Sequence, residues 1–419
     1  MRVLVVGSGG REHTFAWALH QSPQIEQLFC APGNAGTAAL AVNLPIGSER
    51  IDALAAAAVR ERIDLAVIGP EAPLAAGLVD ALRERDIRVF GPTRAAARIE
   101  ASKRFAKSLM ERAGIRHARG RSFHEARPAH AFIDSFRTPP VVKADGLAAG
   151  KGVVVPATFE EAHASADAML GGRFGEASEI VVIEERLAGL EASAMAFVDG
   201  RQVQPMPLSC DYKRVGDGDV GPNTGGMGAY SPPGFLPPES TPRLFADIHG
   251  QVVAALAARD APFQGALYAG LMVDEDAASV LEFNCRFGDP ETQVVLPRLR
   301  TALLTVMEAC TEGRLAAQPV EWSEDATVGV VLASDGYPGS YETGKPIHGL
   351  NAIDDDVQVF HAGTRLTEEG AVVTSGGRVL TVVARAPTLA EARARAYDNV
   401  RRIDFAGCIY RRDIAAREI

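Results

Sequence analysis

The sequence predicts an α/β protein with a parallel-sheet domain at the N-terminus, a central domain in two parts and a small α+β domain at the C-terminus. The chain has 419 residues, enough for about two to four domains. Short apolar runs alternate with Ala-rich helical stretches near the N-terminus, and from Ala326 the pattern changes to strands with one helix. These changes place the domains at 1–100, 101–325 and 326–419, with a lid-like part of the central domain at about 118–190.

Composition limits the kinds of partner. The formal net charge is −10, and no long run of Lys or Arg occurs, so nothing predicts nucleic-acid binding. The five cysteines are scattered without a C-x-x-C pair, which is typical of reduced thiols in a cytosolic protein. Residues 3–6 are apolar, but glycine and charge follow at once, so we expect neither a signal peptide nor a membrane span. The sequence therefore predicts a cytoplasmic protein that acts on small molecules.

The first hundred residues predict a parallel sheet with right-handed crossovers. The apolar runs that we interpret as strands are 3–6, 25–30, 65–69 and 87–91. The loops that follow three of these strands are 7–13, 32–37 and 69–74. Because ligands of such sheets bind at the carboxyl ends of the strands, we expect these loops to line a binding site.

The glycine-rich turn after the first strand has two interpretations. Its G-S-G-G at 7–10 resembles a dinucleotide-binding turn, but Glu12 stands where the third glycine is needed. The second strand also ends, at 30–32, without an acid for a ribose hydroxyl. What remains is a turn whose backbone N–H groups and Arg11 lie at a helix N-terminus, a suitable seat for one phosphate. The alternative is a tight β–α turn with no ligand.

The central domain carries lysines beside a glycine-rich tip. Lys143 lies on a predicted strand that leads into G-L-A-A-G-K-G at 146–152, and Lys103 lies early in a helical stretch. Such a tip can fold over a triphosphate while the lysine reaches the phosphates as a point charge. No Gly-Lys-Ser/Thr precedes a helix, so this is not a P-loop. The alternative is an ordinary glycine-rich hairpin.

A buried strand that ends at Glu184 and Glu185 predicts the nucleoside end of the site. The backbone beyond this strand could pair with an adenine edge, and Glu191 could accept hydrogen bonds from ribose hydroxyls. A solvated strand end fits the spacing equally well. The Gly/Pro-rich segment 209–234 follows, and its length and its Met and Tyr content favour an ordered active-site loop over a linker.

The segment L-E-F-N-C-R-F-G-D-P-E-T-Q, which begins at Leu281, predicts a cation site. Alternate residues of a strand point the same way, so Glu282 and Asn284 share a face, with oxygen ligands about 7 Å apart that can bracket a divalent cation. On a continuing strand, Arg286 would point to the same face as Glu282 and Asn284. Its guanidinium could bind a phosphate or carboxylate through two hydrogen bonds. Asp289 follows in a turn. The alternative is a strand end with solvated polar residues.

In their order along the chain, these motifs resemble those of the phosphoribosylamine–glycine ligase family, also called glycinamide ribonucleotide synthetases, within the ATP-grasp superfamily. The resemblance covers essentially the whole chain. It implies an ATP-grasp fold with a Rossmann-like N-terminal domain, a two-part ATP-grasp domain and a small C-terminal α+β domain. The motifs are GSGGREH, APGNAGT, GPEAPL, KADGLAAGKGV, KRVGD, GPNTGGMGAYSP, LYAGLM, EFNCRFGDPETQ, HAGT and TSGGRVL.

The resemblance implies that glycine, ATP and 5-phosphoribosylamine give glycinamide ribonucleotide, ADP and phosphate through glycyl phosphate, in de novo purine biosynthesis. It implies ATP and Mg²⁺ (or Mn²⁺) as cofactors, and a monomer or small homo-oligomer. The alternative is another ATP-grasp carboxylate–amine ligase or a carboxylase of purine metabolism. An NAD-dependent dehydrogenase would need an acid after the second strand, which is absent. A non-catalytic nucleotide-binding module would lose Lys143, Glu282 or Asn284, and all three are present.

The family pattern implies a role for each matching residue. Glu282 and Asn284 would hold the metal. ATP would contact Lys103, Lys143, Gly150, Glu184, Glu185, Leu187 and Glu191. The other substrates would contact Gly9, Gly10, Arg11, Glu71 and Asp211. The residues implied in catalysis are Arg286 on the transferring phosphoryl group, Lys213 beside the phosphates and Asp289 toward the amine. Acyl phosphate and phosphoribosylamine decompose in water, so we expect the 146–152 tip and the 211–234 loop to close over them.

Overall fold

The computed structural model of the chain describes residues 1–148, 152–236, 240–274 and 277–419. These residues form a five-stranded sheet, a six-stranded sheet and two four-stranded sheets, with two small two-stranded hairpins. The mixed α/β class predicted from the sequence is confirmed. Within the described ranges, no helix is long and apolar enough to cross a membrane.

The N-terminal sheet is parallel, as its apolar runs predicted. Its elements are β1 (Arg2–Gly7), α1 (Gly10–His20), β2 (Gln27–Pro32), β3 (Val42–Asn43), α2 (Ile51–Arg60), β4 (Leu65–Ile68), α3 (Glu71–Ala76), α4 (Leu78–Arg83), β5 (Arg88–Phe90) and α5 (Arg94–Ala101). The strand order is β3-β2-β1-β4-β5, so the chain winds outward in both directions from the β1/β4 pair. Such a switch point opens a crevice at the carboxyl ends of the two strands. The loops after β1 and β4 carry Gly9, Arg11 and Glu71 to that crevice.

The lid is a small sheet with its own core. α6 (Lys103–Ala113) precedes the lid, and its buried residues belong to the main core. The lid itself contains β6 (Gly120–Phe123), α7 (Ala126–Ile133), β7 (Val141–Ala144), β8 (Val153–Val154), α8 (Phe159–Leu170) and β9 (Val181–Glu184). The strand order is β6-β9-β7-β8. Buried residues of α7 and α8, such as Ile133 and Met169, pack on the apolar face of this sheet. A core of its own lets the lid hold its shape as a separate unit.

The rest of the central domain is built on a second four-stranded sheet, ordered β11-β10-β16-β17. The elements of this part of the chain are β10 (Leu190–Asp199), β11 (Val203–Pro205), β12 (Cys210–Asp211), β13 (Arg214–Gly216), β14 (Val220–Asn223), β15 (Gly228–Ser231), α9 (Thr241–Phe245), α10 (Gln251–Ala257), β16 (Gln264–Asp274), β17 (Ala277–Asn284), α11 (Glu291–Val295) and α12 (Leu303–Thr311). β17 ends at Asn284, so Arg286 lies beyond the strand, whereas the sequence predicted that the strand continues to 286.

The C-terminal sheet takes two strands from the Gly/Pro-rich segment 209–234. Its own elements are β18 (Ala326–Ser334), β19 (Gln358–His361), β20 (Thr364–Leu366), β21 (Val372–Thr374), β22 (Arg378–Ala386), α13 (Leu389–Val400) and β23 (Cys408–Ile409). The main strand order is β12-β15-β18-β22-β19. The segment predicted as an active-site loop is therefore ordered, and β12 and β15 anchor it to the C-terminal sheet. Between them, β13 and β14 form a hairpin.

Candidate active site

One cavity brings together residues that the sequence predicted from three separate parts of the chain. α3 and α5 contribute from the N-terminal domain, β7, β8 and β9 contribute from the lid, and α6 and β17 contribute from the rest of the central domain. The predicted site residues that line this cavity are Glu71, Lys103, Lys143, Glu184, Glu282, Asn284 and Arg286. Gly150 lies outside the described residues. Glu185 and Leu187 follow β9 and are not among the lining residues.

β17 presents the two predicted metal ligands beside a β-bulge. Glu282 pairs with Gly270 of β16, but the next pair is Leu271 with Val280, so Leu281 is the extra residue. Bulges often re-aim side chains next to active sites. Glu282 and Asn284 line the cavity together with Phe283 between them, and both Phe283 and Asn284 are buried. Both predicted ligands therefore border one cavity, and their binding of a metal stays a prediction.

The donor set fits a divalent cation that also binds phosphate oxygens. Within the described ranges, no group of three or more His, Cys, Asp or Glu side chains could hold a metal ion. Gly270 lies directly across from Glu282, so the neighbouring strand offers no carboxylate there. Mg²⁺ is usually held by one or two carboxylates together with substrate phosphates and water. Glu282 and Asn284 fit that pattern.

Glu184 lines the cavity and joins two buried lysines, Lys107 and Lys143. Its Oε2 lies 2.6 Å from Lys143 Nζ, and its Oε1 lies 2.9 Å from Lys107 Nζ. Burial alone would raise the pKa of Glu184, but Lys143 and Lys107 outweigh it and lower that pKa. Burial likewise opposes charge on Lys143, but Glu184 raises its pKa above the ordinary value. Lys143 Nζ also donates to the carbonyl of Leu281, 3.0 Å away, which ties it to the bulge of β17.

Lys103 begins α6 and points toward the base of the glycine tip. Its Nζ donates to the carbonyl of Gly146 over 3.3 Å, and burial lowers its pKa. Asp145, from the K-A-D motif, holds this helix start, because its carboxylate accepts hydrogen bonds from the Ser102 hydroxyl and the Arg104 N–H. The motif therefore has a structural part beside the lysine that the sequence singled out.

Arg286 is held between two carboxylates of the N-terminal domain. Its Nε lies 3.2 Å from Glu71 Oε2, and a terminal nitrogen lies 3.1 Å from Glu100 Oε1. Burial would raise the pKa of Glu71, but Arg286 and Arg11 lower it, whereas burial raises the pKa of Glu100. Glu100 also accepts a hydrogen bond from the Cys285 N–H. The sequence gave no reason to single out Glu100, which the chain places 186 residues before its arginine partner.

The turn after β1 is closed by the side chain of Glu12. Glu12 accepts a hydrogen bond from the Gly9 N–H at 2.6 Å and lies 2.6 Å from Arg11 Nε. A side-chain carboxylate thus occupies the seat that was predicted for a phosphate at Gly9 and Arg11. Arg11 also donates to the carbonyl of Phe287, which anchors the turn to the segment after β17. Contact of Gly9, Gly10 and Arg11 with a substrate stays a prediction.

A second charged cluster surrounds Lys213. Its Nζ lies 3.0 Å from Asp211 and also pairs with Glu191. Lys213 lowers the pKa of Glu191, and burial raises the pKa of Asp211. Asp211, Lys213 and Glu191 therefore meet, although the sequence predicted separate contacts for them with substrate, phosphate and ribose. Asp289 lies elsewhere, beside Gly9, and forms an ion pair with Arg378 at 2.9 Å.

Comparison with known protein families identifies the family of this chain. Models of the phosphoribosylglycinamide synthetase N domain, ATP-grasp (A) domain and C domain match residues 1–100, 101–292 and 327–417. The chain belongs to the phosphoribosylglycinamide synthetase family. The resemblance that the motifs indicated is therefore confirmed.

Relatives in this family align over the whole chain. The phosphoribosylamine–glycine ligases of Nostoc sp. and Escherichia coli strain K12 are 48% and 49% identical to it, over 100% of this chain and 99% of each relative. A crystal structure of the Thermotoga maritima phosphoribosylamine–glycine ligase has a TM-score of 0.87 and 36% identity, covering 99% of this chain and 100% of that one. The Campylobacter jejuni biotin carboxylase (TM-score 0.77, 15% identity, 98% and 92% coverage) shares the fold alone. The ATP-grasp fold is thus confirmed.

The sequence interpretation missed three residues that pair with predicted site residues: Glu100, Lys107 and Arg378. Lys107 lies four positions after Lys103 on α6, and residues with this spacing share a helix face. That spacing was the one available signal for Lys107. The partners of Glu100 and Arg378 lie far away in the chain, so no local pattern could identify these two residues.

Lys107 should matter for nucleotide binding, because it fixes the carboxylate that holds Lys143. We expect Lys107→Met to raise the KM for ATP about tenfold (~1.4 kcal/mol) and to change kcat far less. The matched control is Lys345→Met, which removes a more exposed lysine that is also paired with a glutamate, Glu342. Steady-state kinetics with varied ATP provide the measurement. An unchanged KM in a folded Lys107→Met variant would contradict this role.

Proposed function

We propose that this chain joins glycine to 5-phosphoribosylamine at the expense of ATP, giving glycinamide ribonucleotide, ADP and phosphate in purine biosynthesis. One observation carries the proposal: a single cavity unites the Glu282–Asn284 pair with Lys143 and Arg286. This occurs in a chain that aligns end to end with phosphoribosylamine–glycine ligases. The scattered cysteines, all of which are free thiols, support a cytoplasmic location.

The chemistry needs two steps, because a carboxylate is a poor electrophile. A carboxylate oxygen of glycine attacks the γ-phosphorus of ATP, the bond to the ADP oxygen breaks, and glycyl phosphate forms. The amine nitrogen of phosphoribosylamine then attacks the carbonyl carbon, and the carbon–oxygen bond to phosphate breaks. In the net balance, the proton lost by the amine is carried by the released phosphate. The protein mainly positions the reactants and neutralises charge.

The cations of the cavity suit the phosphate end of this reaction. Lys143 stays charged because Glu184 raises its pKa. We propose that Lys143 and Lys103 bind the α- and β-phosphates, and that Glu282 and Asn284 hold Mg²⁺ or Mn²⁺, which would neutralise phosphate charge when bound. A guanidinium has more N–H donors than Arg286 uses on its protein partners, so Arg286 can also donate to the transferring phosphoryl group.

The direct test measures ADP release with Mg-ATP while glycine or phosphoribosylamine is omitted in turn. We expect release that requires both substrates, with glycinamide ribonucleotide formed in equal amount. A carboxylase would instead release ADP with bicarbonate and without glycine. Release with neither substrate, or with bicarbonate in place of glycine, would keep the fold and overturn the proposed substrates.

A further inference from the structure

Arg378 lies at a junction of three parts of the chain. It begins β22 of the C-terminal sheet, and its guanidinium reaches the segment after β17, where one terminal nitrogen lies 2.9 Å from Asp289 Oδ2. The other terminal nitrogen donates to the carbonyl of Asp289 at 2.9 Å and to the carbonyl of Gly225 at 2.5 Å. The side chain is largely buried, with 21% of its surface exposed. One residue therefore connects the C-terminal sheet to the turn after β17 and to the loop between β14 and β15.

The glycines of the N-T-G-G motif make this junction possible. A Cβ at Gly225 would lie 3.1 Å from Arg378 Cζ, and a Cβ at Gly226 would lie 2.4 Å from Pro290 Cδ. Gly226 also has a φ of +107°, which L side chains rarely adopt. The loop can therefore lie directly on Arg378 and on the Asp289–Pro290 turn because it carries no side chains there.

Asp289 is held on both oxygens and stays ionised. Gln293 donates to Oδ1 at 2.7 Å, and Arg378 occupies Oδ2. Burial would raise the pKa of Asp289, but Arg378 and then Arg11 lower it, and Arg286 acts in the same direction. A carboxylate with a lowered pKa is a weak general base, but its remaining lone pairs can still accept a hydrogen bond from an amine. The carboxylate also lies beside Gly9, at the switch point of the N-terminal sheet.

We propose that Arg378 is a positioning residue that aims the Asp289 carboxylate at the amine of the acceptor substrate and so links the C-terminal sheet to capture of the acyl phosphate. This inference rests on the proposed function. Arg378 acts through Asp289 and has no part in the phosphoryl transfer from ATP to glycine. The two half-reactions should therefore respond differently to its loss.

Loss of Arg378 should uncouple ATP consumption from product formation. Without Arg378, glycyl phosphate still forms, but the amine is poorly placed to attack its carbonyl carbon. Water then attacks that carbon, the carbon–oxygen bond to phosphate breaks, and glycine and phosphate are released without product. ADP would be formed in excess of glycinamide ribonucleotide. A merely structural defect would lower both products equally, so the ratio separates the two explanations.

The test compares ADP with glycinamide ribonucleotide formed by the whole enzyme and its variants. We expect Arg378→Met to raise the ratio of ADP to glycinamide ribonucleotide from about one to about three or more. Arg378→Lys keeps the charge, so we expect its ratio to lie between those of the wild type and Arg378→Met. The matched control is Arg385→Met on the same strand, whose arginine also pairs with an aspartate, Asp325, at 3.4 Å and is 48% exposed. We expect that control to keep a ratio of about one.

The possible outcomes are distinct. A ratio of about one in both Arg378 variants, with both products falling together, would overturn the inference. If Arg378→Met does not fold, the ratio for Arg378→Lys decides, because that variant keeps a cation beside Asp289. A wild-type enzyme that makes no glycinamide ribonucleotide at all would instead overturn the proposed function.

Discussion

Glu282→Gln is expected to lower kcat/KM by about a thousandfold or more (~4 kcal/mol) without unfolding the chain. The substitution keeps the shape of the side chain and removes the charge that would hold the divalent cation. Glu282 is partly exposed in the cavity and pairs through its backbone with Gly270, so the strand does not need its carboxylate. Steady-state kinetics and Mn²⁺ binding in the presence of ATP provide the measurements, and we expect both to fail in the variant.

The matched control is Glu342→Gln, which removes an exposed carboxylate that is paired with Lys345. We expect its kinetics and Mn²⁺ binding to equal those of the wild type. Activity of Glu282→Gln within about tenfold of wild type (~1.4 kcal/mol) would contradict the metal assignment.

Arg286→Met is expected to abolish activity and also to lower the free energy of unfolding by about 3 kcal/mol at pH 8. The substitution leaves Glu71 and Glu100 without their shared cation, and Glu100 is buried. In the folded variant, the pKa of each carboxyl should rise above its value of about 4.3 in the unfolded chain. The free energy of unfolding of the variant therefore falls as the pH increases beyond about 4.3, because the unfolded chain loses its protons first. The difference from wild type should therefore be large at pH 8 and smaller near pH 5. Urea denaturation at both pH values measures it.

The matched control for this loss is Arg88→Met. Arg88 also pairs with two glutamates, Glu308 and Glu312, at 3.4 and 2.9 Å, but it is 37% exposed. Exposed pairs contribute little, so we expect a loss of at most about 1 kcal/mol and nearly normal kinetics. Equal losses in the two variants would show that burial of the Arg286 cluster has no special importance.

The sequence predicted the elements that depend on local pattern. β1 and β18 are continuous apolar runs, so these strands could be predicted directly. The bulge of β17 at Leu281 could not be predicted, because it depends on the pairing with β16. The membership of β12 and β15 in the C-terminal sheet could not, because pairing with β18 joins residues about a hundred positions apart. The segment 209–234 is rich in glycine and proline and has too little strand propensity to indicate that partner.

The sequence predicted seven of the residues that line the cavity, but it did not predict how their side chains pair. Lys143 and Glu184 were assigned to different parts of ATP, yet they bind each other. In the sequence, Glu12 was an argument against a dinucleotide-binding turn. In the structure, its carboxylate lies inside the turn and accepts a hydrogen bond from the Gly9 N–H. Ion pairs of this kind depend on how sheets and loops pack in space, and the spacing of residues along the chain does not predict that packing.

The measurement that tests the central claim most directly uses glycine labelled with ¹⁸O in both carboxylate oxygens. If glycine is activated as glycyl phosphate, one labelled oxygen must leave with phosphate when the amine attacks the carbonyl carbon. We therefore expect each inorganic phosphate to carry one ¹⁸O atom, with the other retained in glycinamide ribonucleotide. Unlabelled phosphate formed together with that product would contradict the acyl-phosphate route, and with it the roles proposed for the residues of this cavity.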